Sequence, residues 1–526
     1  MSRLVLSLAV LCAASAAAGA ALVPAPREWT AREGVCAVSI PLAWSKWDWW
    51  DQDIVGDCLA AAKTEVTADA SLPKEGYRLA VRPTGIAIAA SDAAGAFYAR
   101  QTLRQLARQT ASNAIEIACC EIRDWPAYPY RGMLVDEGRH FLGKTVVKRQ
   151  IELMAGHKLN VLHWHLTEDM GWRLELKRHP ELVRVGAVRS QSAKFGTNTR
   201  WLPPQKKAED ELDGERYGPF FYTQDDVREI LAFAKAHHVT VVPEIELPGH
   251  CRALLAAHPE LSCTGDVPRE PCFGPTISKD VLCVGNDAAV RLYEEIFDEV
   301  CELFPDAPYV HIGGDECPRD RWRACAKCQA RIRAEGLKGE DGLQAWICTR
   351  MVRHLERRGR RAIGWDEILS GDVPASAIGM VWRSSAAGGA GTAYTSAAEA
   401  VRRGHDLVMA PKGFCYFSQP QFASGDPYPY HGPWGAPLTL ETAYSFNPSD
   451  GIPAAAPGRV LGGTACLWGE QIWTRFDFEW KAWPRTCAFA EALWLGTDRP
   501  DFADFRRRME RHRARLVAAY VNCAPL

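Results

Sequence analysis

Residues 311–316 read His-Ile-Gly-Gly-Asp-Glu, the sharpest chemical signal in this sequence. Neighbouring side chains of a strand point to opposite faces. Asp315 and Glu316 can therefore serve one ligand only if the strand ends at the double glycine. Gly313 and Gly314 permit that ending and a close backbone approach. Two carboxyls so near each other repel, which raises at least one pKa and keeps a proton available near neutral pH. A lone Asp-Glu is commonly a helix start; the two glycines set this one apart.

Other reactive side chains cluster at the ends of short apolar runs. The runs are residues 133–136, 160–166, 239–247, 309–316, 361–368, 378–383, 406–411 and 460–468. A strand buried in a parallel sheet should be almost wholly apolar. Here the first run ends in Asp136, with Arg139 and His140 just beyond, and the second supplies His163, His165, Glu168 and Asp169. The third brings Glu244, Glu246 and His250, and the fourth His311, Asp315 and Glu316. Trp365, Asp366, Glu367, Trp382, Tyr416, Trp468 and Glu470 end the other four. Carboxylates ringed by tryptophan and tyrosine suit glycoside cleavage: acids handle the proton and the anomeric carbon, while flat rings stack on a pyranose. The chain has neither a G-x-S-x-G nucleophile setting nor a glycine-rich phosphate loop.

These residues need a scaffold that brings strand ends to one place. Most runs precede a helical pattern. Thr145 is expected to cap the helix that follows the first strand, and Thr223 with Asp226 three residues on forms a capping-box start. Eight strand-then-helix units in roughly 350 residues is the count of a (β/α)8 barrel, an α/β fold whose strand ends open onto one catalytic rim. Two long connections, about 184–222 and 418–440, would sit on that rim. Residues 22–123 read as a separate small α+β domain, with a hairpin around Pro83-Thr84-Gly85 and a helix carrying Phe97, Leu103 and Leu106. The barrel then occupies 124–526.

Composition agrees with a folded two-domain chain. Of 526 residues 47% are hydrophobic and 24% charged, and 62 basic against 64 acidic residues leave a net charge of −2, which calls for neither nucleic acid nor an anionic membrane. Residues 1–21 read as an export signal: Arg3, an apolar stretch from Leu4 to Cys12, then small residues to Ala21. A periplasmic or secreted protein is expected. Lipid anchoring at Cys12 is disfavoured by the bulky Leu11, and no stretch is long enough to span a membrane. Removing the export segment leaves 17 of the 18 cysteines, which in an exported chain could form disulfides, the odd count leaving at least one thiol free or paired elsewhere. Cys325-x-x-Cys328 with Cys317 nearby hints at a metal knuckle, but no second Cys/His pair has zinc spacing, so a local disulfide or plain thiols is the expectation.

The motifs "RGMLVDEGRHF", "NVLHWHLTEDMGWRLE", "VTVVPEIELPGHCRALLAAHPELSC", "YVHIGGDECPRDRW", "IGWDEIL" and "CLWGEQIW" resemble those of the β-N-acetylhexosaminidases of glycoside hydrolase family 20, in the family's order. The resemblance covers the barrel, and "YRLAVRPTGIAIAASDAAGAFYARQTLRQL" looks like the family's small N-terminal domain. It implies a retaining exo-enzyme acting on glycans with a terminal β-linked N-acetylhexosamine, without metal or cofactor. The substrate's own 2-acetamido oxygen would attack the anomeric carbon and give an oxazolinium. On that resemblance Glu316 is the general acid and base, and Asp315 orients the acetamido group. Arg139 and Glu470 grip ring hydroxyls, and Trp365, Trp382 and Trp468 form aromatic walls. Tyr416 donates to the acetamido oxygen, and Glu168 with His250 is a supporting pair.

Ser418 departs from the family's pattern, which has Asp two residues after the tyrosine to reach distal hydroxyls; Asp426 in the following loop is the nearest substitute. Two rival readings come from other classes. His163-x-His165 could hold zinc in a metal-dependent hydrolase, although Trp164 intervenes on a strand that must also supply Glu168 and Asp169. A glycan-binding protein on a dead barrel would need a lost acid, yet Asp315, Glu316 and Tyr416 are all present.

Overall fold

The hairpin expected at Pro83–Gly85 forms, with Tyr77–Arg82 turning through two residues into Gly85–Ala90. The structure is a computed structural model that describes residues 22–39, 64–111, 114–192, 212–272, 277–383, 395–423 and 437–526. The proposed export segment and Asp426 lie outside the described residues.

Alternating burial along the hairpin strands shows one face turned inward. The long strand Ala114–Asp124 pairs antiparallel with Glu28–Ser39 on one side and Tyr77–Arg82 on the other. Glu65–Ala68 adds a parallel edge beside Gly85–Ala90, and the helix Ala93–Leu106 packs against the sheet. The α+β unit is therefore a six-stranded sheet with a helix, ending at Asp124. It is tied to the barrel by the Lys158–Asp124 pair at 2.8 Å and the Arg131–Glu75 pair at 2.8 Å.

Eight parallel strands then close into a barrel: Tyr130–Asp136, Val161–His165, Thr240–Glu244, Tyr309–His311, Arg361–Trp365, Ile378–Val381, Leu407–Met409 and Val460–Leu467. Each lies on one of the eight apolar runs. The fold class read from the sequence, a (β/α)8 barrel preceded by a small α+β domain, is the one observed.

Two local features differ from expectation. The helix Lys144–Gly156 is not capped by Thr145, which lies within its first turn; its N-cap is Gly143 at φ 83°, with no side-chain hydrogen bond. Glycine takes that left-handed conformation without a Cβ clash, so the backbone sets the helix entry. After the fifth strand only a 3-10 turn, Asp366–Ser370, precedes the sixth strand. That turn puts Asp366 and Glu367 at the rim, where a full helix would have carried the chain away from it. Thr223 and Asp226 do form the reciprocal capping box.

Candidate active site

The fourth strand stops at His311, and Gly313 and Gly314 turn the chain with φ of 66° and 106°. A Cβ on Gly313 would collide with the Glu246 carboxyl, and one on Gly314 with the Ile368 side chain. Only glycine lets the chain fold this tightly against its neighbours. Glu316 itself holds φ 44°, and His250, facing it, holds φ 47°. Non-glycine residues seldom adopt this region, and those that do cluster at functional sites.

The result is a cavity of about 210 Å³ at the barrel's C-terminal mouth. Its lining includes Asp315, Glu316, Arg139, Trp382, Tyr416, Trp468 and Glu470. Five different strand ends thus meet at one pocket, as the sequence implied. Trp365 differs: it is 1% exposed and packs behind Trp468 at 5.4 Å between ring centres. It underlies the pocket instead of lining it, because its indole N–H donates to Glu244 at 2.8 Å. Trp382 and Tyr416 stack with rings inclined by 17°, and Tyr416 meets Trp468 edge-on. Glu367 accepts a 3.0 Å hydrogen bond from the Trp382 indole and so fixes that wall.

Arg139 sits between three carboxylates, at 2.9 Å from Asp136, 3.2 Å from Glu168 and 3.7 Å from Glu470. Its guanidinium also lies 5.0 Å over the Trp468 ring, a cation–π contact that orients the indole. Burial acts on Asp136, yet Arg139 and the His165 imidazolium hold its carboxyl far below the usual range. Glu470 is pushed up, by burial first, against the pull of Arg139.

His250 and Glu168 form the expected pair. Glu168 Oε1 stands 2.7 Å from His250 Nδ1, while His250 Nε2 lies 3.5 Å from Asp315 and 3.7 Å from Glu316. Burial opposes a charge on His250, but Glu168 and Asp315 outweigh it and hold the imidazole protonated well above its ordinary pKa. The two adjacent carboxyls then divide. Asp315 is pushed up to about 6 by burial and by the nearby Glu316 charge, although His250 draws it down. Glu316 is lowered despite burial, by its contact with His250 and by Arg139 and Lys412. The repulsion expected between the carboxyls is thus present, and in the free protein the raised pKa belongs to Asp315. Asp315 Oδ1 is buried and has no hydrogen-bond partner among the described residues.

His163 and His165 are fully buried beneath the mouth. His163 Nε2 lies 2.8 Å from Glu244, and His165 Nδ1 lies 2.9 Å from Asp136. His165 Nε2 also lies 3.3 Å from Glu246 and 3.9 Å from Glu244, so the two imidazoles share Glu244 within a buried network at the site's floor. Lys412 and Gln419 line the cavity and were not singled out from sequence. They follow the seventh strand within "PKGFCYFSQ", where only position relative to the strand end could have marked them. Ser418 lines the cavity too, and its carbonyl accepts from Lys481 at 2.9 Å.

Buried carboxyls of unequal acidity facing an aromatic pocket can pass a proton to a leaving oxygen and stabilise a developing positive charge. Known proteins resemble this chain in sequence and fold. The profile described as "Glycosyl hydrolase family 20, catalytic domain" matches residues 128–497, and that of the same family's domain 2 matches 50–125. A protein named beta-hexosaminidase from Porphyromonas gingivalis is 40% identical over 471 residues, covering 87% of this chain. The chain spans 56% of that relative's length. A beta-hexosaminidase of Akkermansia muciniphila is 32% identical over 451 residues, covering 86% of this chain and 85% of its own. The crystal structure of an exo beta-N-acetylglucosaminidase from Vibrio harveyi, in complex with N-acetylglucosamine, superposes with a TM-score of 0.79 at 30% identity, over 97% of this chain and 78% of that one. With matching motifs, barrel and accessory domain, the chain belongs to glycosyl hydrolase family 20.

Proposed function

We propose that the protein is a retaining exo-β-N-acetylhexosaminidase that removes terminal β-linked GlcNAc or GalNAc from glycans by substrate-assisted catalysis. The observation that carries this is the buried, unpartnered Asp315 Oδ1 beside Glu316 in the pocket. An unsatisfied buried acceptor costs about 1–3 kcal/mol, and a 2-acetamido N–H is the donor a hexosamine would bring to it.

In the first step the acetamido oxygen bonds to the anomeric carbon as the glycosidic C–O bond breaks, and the Glu316 proton passes to the departing oxygen. Asp315 accepts from the acetamido N–H and balances the charge that grows on the oxazolinium. Tyr416 donates to the acetamido oxygen. In the second step Glu316 takes a proton from water as the water oxygen bonds to the anomeric carbon and the ring opens, with configuration retained overall. Arg139 and Glu470 hold ring hydroxyls, Trp382 and Trp468 enclose the sugar face, and Trp365 supports them from below. Binding of the acetamido group favours the Asp315 carboxylate, while the aglycone dries Glu316 and raises its pKa. The sugar itself thereby moves the proton to the group that must give it.

The test compares the aryl β-glycosides of GlcNAc, glucose and galactose, with a GlcNAc-thiazoline as inhibitor. Turnover of the GlcNAc glycoside and tight thiazoline inhibition are expected. A site built for a polar substituent rejects an analogue lacking it by about 10⁴–10⁵-fold. Efficient hydrolysis of the glucoside, or a thiazoline no better than GlcNAc, would overturn the mechanism. The reading extends to the ends of the chain: residues 1–21 direct export, and 22–123 and 124–526 act as accessory and catalytic units. N-terminal sequencing of the protein recovered outside the cytoplasm checks the first of these, and an uncleaved Met1 there would refute it.

A further inference from the structure

A second chemical cluster lies away from the carbohydrate pocket. Cys325-x-x-Cys328 is joined in space by two cysteines remote in sequence, Cys263 and Cys283, and the four sulfurs all lie within 4.8 Å of one another. Cys317, the neighbour singled out from sequence, is not one of them. Sγ–Sγ separations are 3.8 Å for Cys263–Cys328, 3.7 Å for Cys283–Cys325 and 3.8 Å for Cys283–Cys328. These are far longer than the about 2.05 Å of a disulfide. They match something else: a regular tetrahedron with edges of about 3.8 Å has its centre about 2.3 Å from every vertex, the Zn–S bond length.

We propose that Cys263, Cys283, Cys325 and Cys328 bind a structural zinc ion that staples the loop after the third barrel strand to the loop after the fourth.

The backbone is built for this arrangement. An isolated bridge between Ser262 and Leu282 brings Cys263 and Cys283 side by side. Cys325 is the N-cap of the helix Ala326–Ala334, and Cys328 lies in its first turn. That helix end favours negative charge, and a zinc ion with four thiolates carries a net charge of −2. Gly285 lets the chain beyond Cys283 lie directly on the backbone of Lys327 and Cys328, where a Cβ would collide. The indole N–H of Trp322 donates to Leu282 O at 2.8 Å, locking the two loops beside the sulfurs. Cys283 and Cys328 are wholly buried, Cys325 is 6% exposed and Cys263 is partly buried, so the cluster lies mostly inside the packed loops. Four thiolates in a closed tetrahedron mark a structural zinc, which keeps no open position for water.

The two stapled loops are those that carry the reactive groups. The third-strand loop begins with His250 and goes on to Cys263 and Cys283, and the fourth begins with Asp315 and Glu316 and ends at Cys325 and Cys328. The metal would hold the imidazole in register with the two carboxyls, as a positioning element remote from the reacting atoms. Because the unfolded chain lacks the assembled site, binding free energy becomes folding free energy.

The test begins with metal analysis of the full-length protein purified under reducing conditions. About one zinc ion per chain is expected, and removing it should expose four additional thiols to a thiol reagent. Dialysis against a strong chelator should lower Tm, and added Zn²⁺ should restore it. Cys263→Ser and Cys325→Ser should lose zinc, while Cys36→Ser, in the N-terminal sheet, should retain it. If the cluster variants fail to fold, zinc content and thiol count of the wild type decide the matter. A zinc-free protein, two disulfides among the four cysteines, bound iron in place of zinc, or full zinc retention in both cluster variants would each overturn the proposal.

Discussion

His250 holds its Nε2 3.5 Å from Asp315 Oδ2 and 3.7 Å from Glu316 Oε2, so one imidazolium draws on both carboxyls, and the deeper burial of Asp315 decides which keeps its proton. The imidazolium favours ionised Glu316, while Asp315, drier and beside that charge, is raised to about 6. Substrate meets the pair with one proton in all, resting on Asp315 and delivered by Glu316, so kcat/KM should fall about tenfold per pH unit above pH 6, where that proton is lost. His250→Gln removes the cation that lowers both carboxyls, so this alkaline limb should move to higher pH. A pH profile unchanged in that variant would show that His250 does not tune the pair.

Glu316→Gln keeps shape and removes the transferable proton. A positioned acid–base group is worth about 10²–10⁴-fold. The loss should be smallest for aryl glycosides with good leaving groups, which need little protonation. Steady-state rates on a leaving-group series read this out, and an equal loss across the series would assign the acid elsewhere.

Asp315→Asn separates stability from activity. Raising a carboxyl from 3.8 to about 6 means that the native state binds the proton more tightly than the unfolded chain does. The charged group therefore opposes folding above pH 6, and the penalty fades as pH falls toward 3.8. It amounts to as much as about 3 kcal/mol. The variant should gain Tm at pH 7.5, gain little at pH 4, and lose most turnover. Equal Tm values at pH 7.5 would count against a strained Asp315.

Arg139→Ala leaves Asp136, Glu168 and Glu470 without their shared cation. Breaking a buried charge pair from one side typically costs about 3–5 kcal/mol. Denaturant midpoints should fall accordingly, and Trp468 fluorescence should shift as its guanidinium contact is lost. Arg139→Lys should recover only part of this, because an ammonium cannot span three carboxylates as the planar fork does.

Ser418→Asp restores an acid at the pocket edge, where charge-assisted hydrogen bonds to hydroxyls are roughly twice as strong as neutral ones. The variant should gain kcat/KM on at least one of the GlcNAc and GalNAc aryl glycosides and shift the preference between them. A loss on both, together with a crippling Asp426→Ala, would mean that the loop already supplies that acid.

The sequence by itself determined the barrel and the members of its mouth. Eight apolar runs ending in polar residues can be buried together only if their ends share one rim, and two adjacent glycines allow Asp315 and Glu316 to turn into it. Such features are local, so spacing and residue type record them. Other features depend on which chain segments meet. Trp365 leaves the pocket wall because Glu244, on another strand, accepts its indole N–H. Gly143 displaces Thr145 as a cap because a left-handed backbone sets the helix entry. Asp315 rather than Glu316 carries the raised pKa because the packed loops bury it more deeply and set it beside the Glu316 charge, although His250 reaches both. The four-cysteine cluster was illegible for the same reason. Cys263 and Cys283 have no zinc spacing along the chain, and only the packing of two loops, through Gly285 and the Ser262–Leu282 bridge, brings them to Cys325 and Cys328. Local chemistry is written in the order of residues, whereas partners across loops are selected by the close packing of the folded chain.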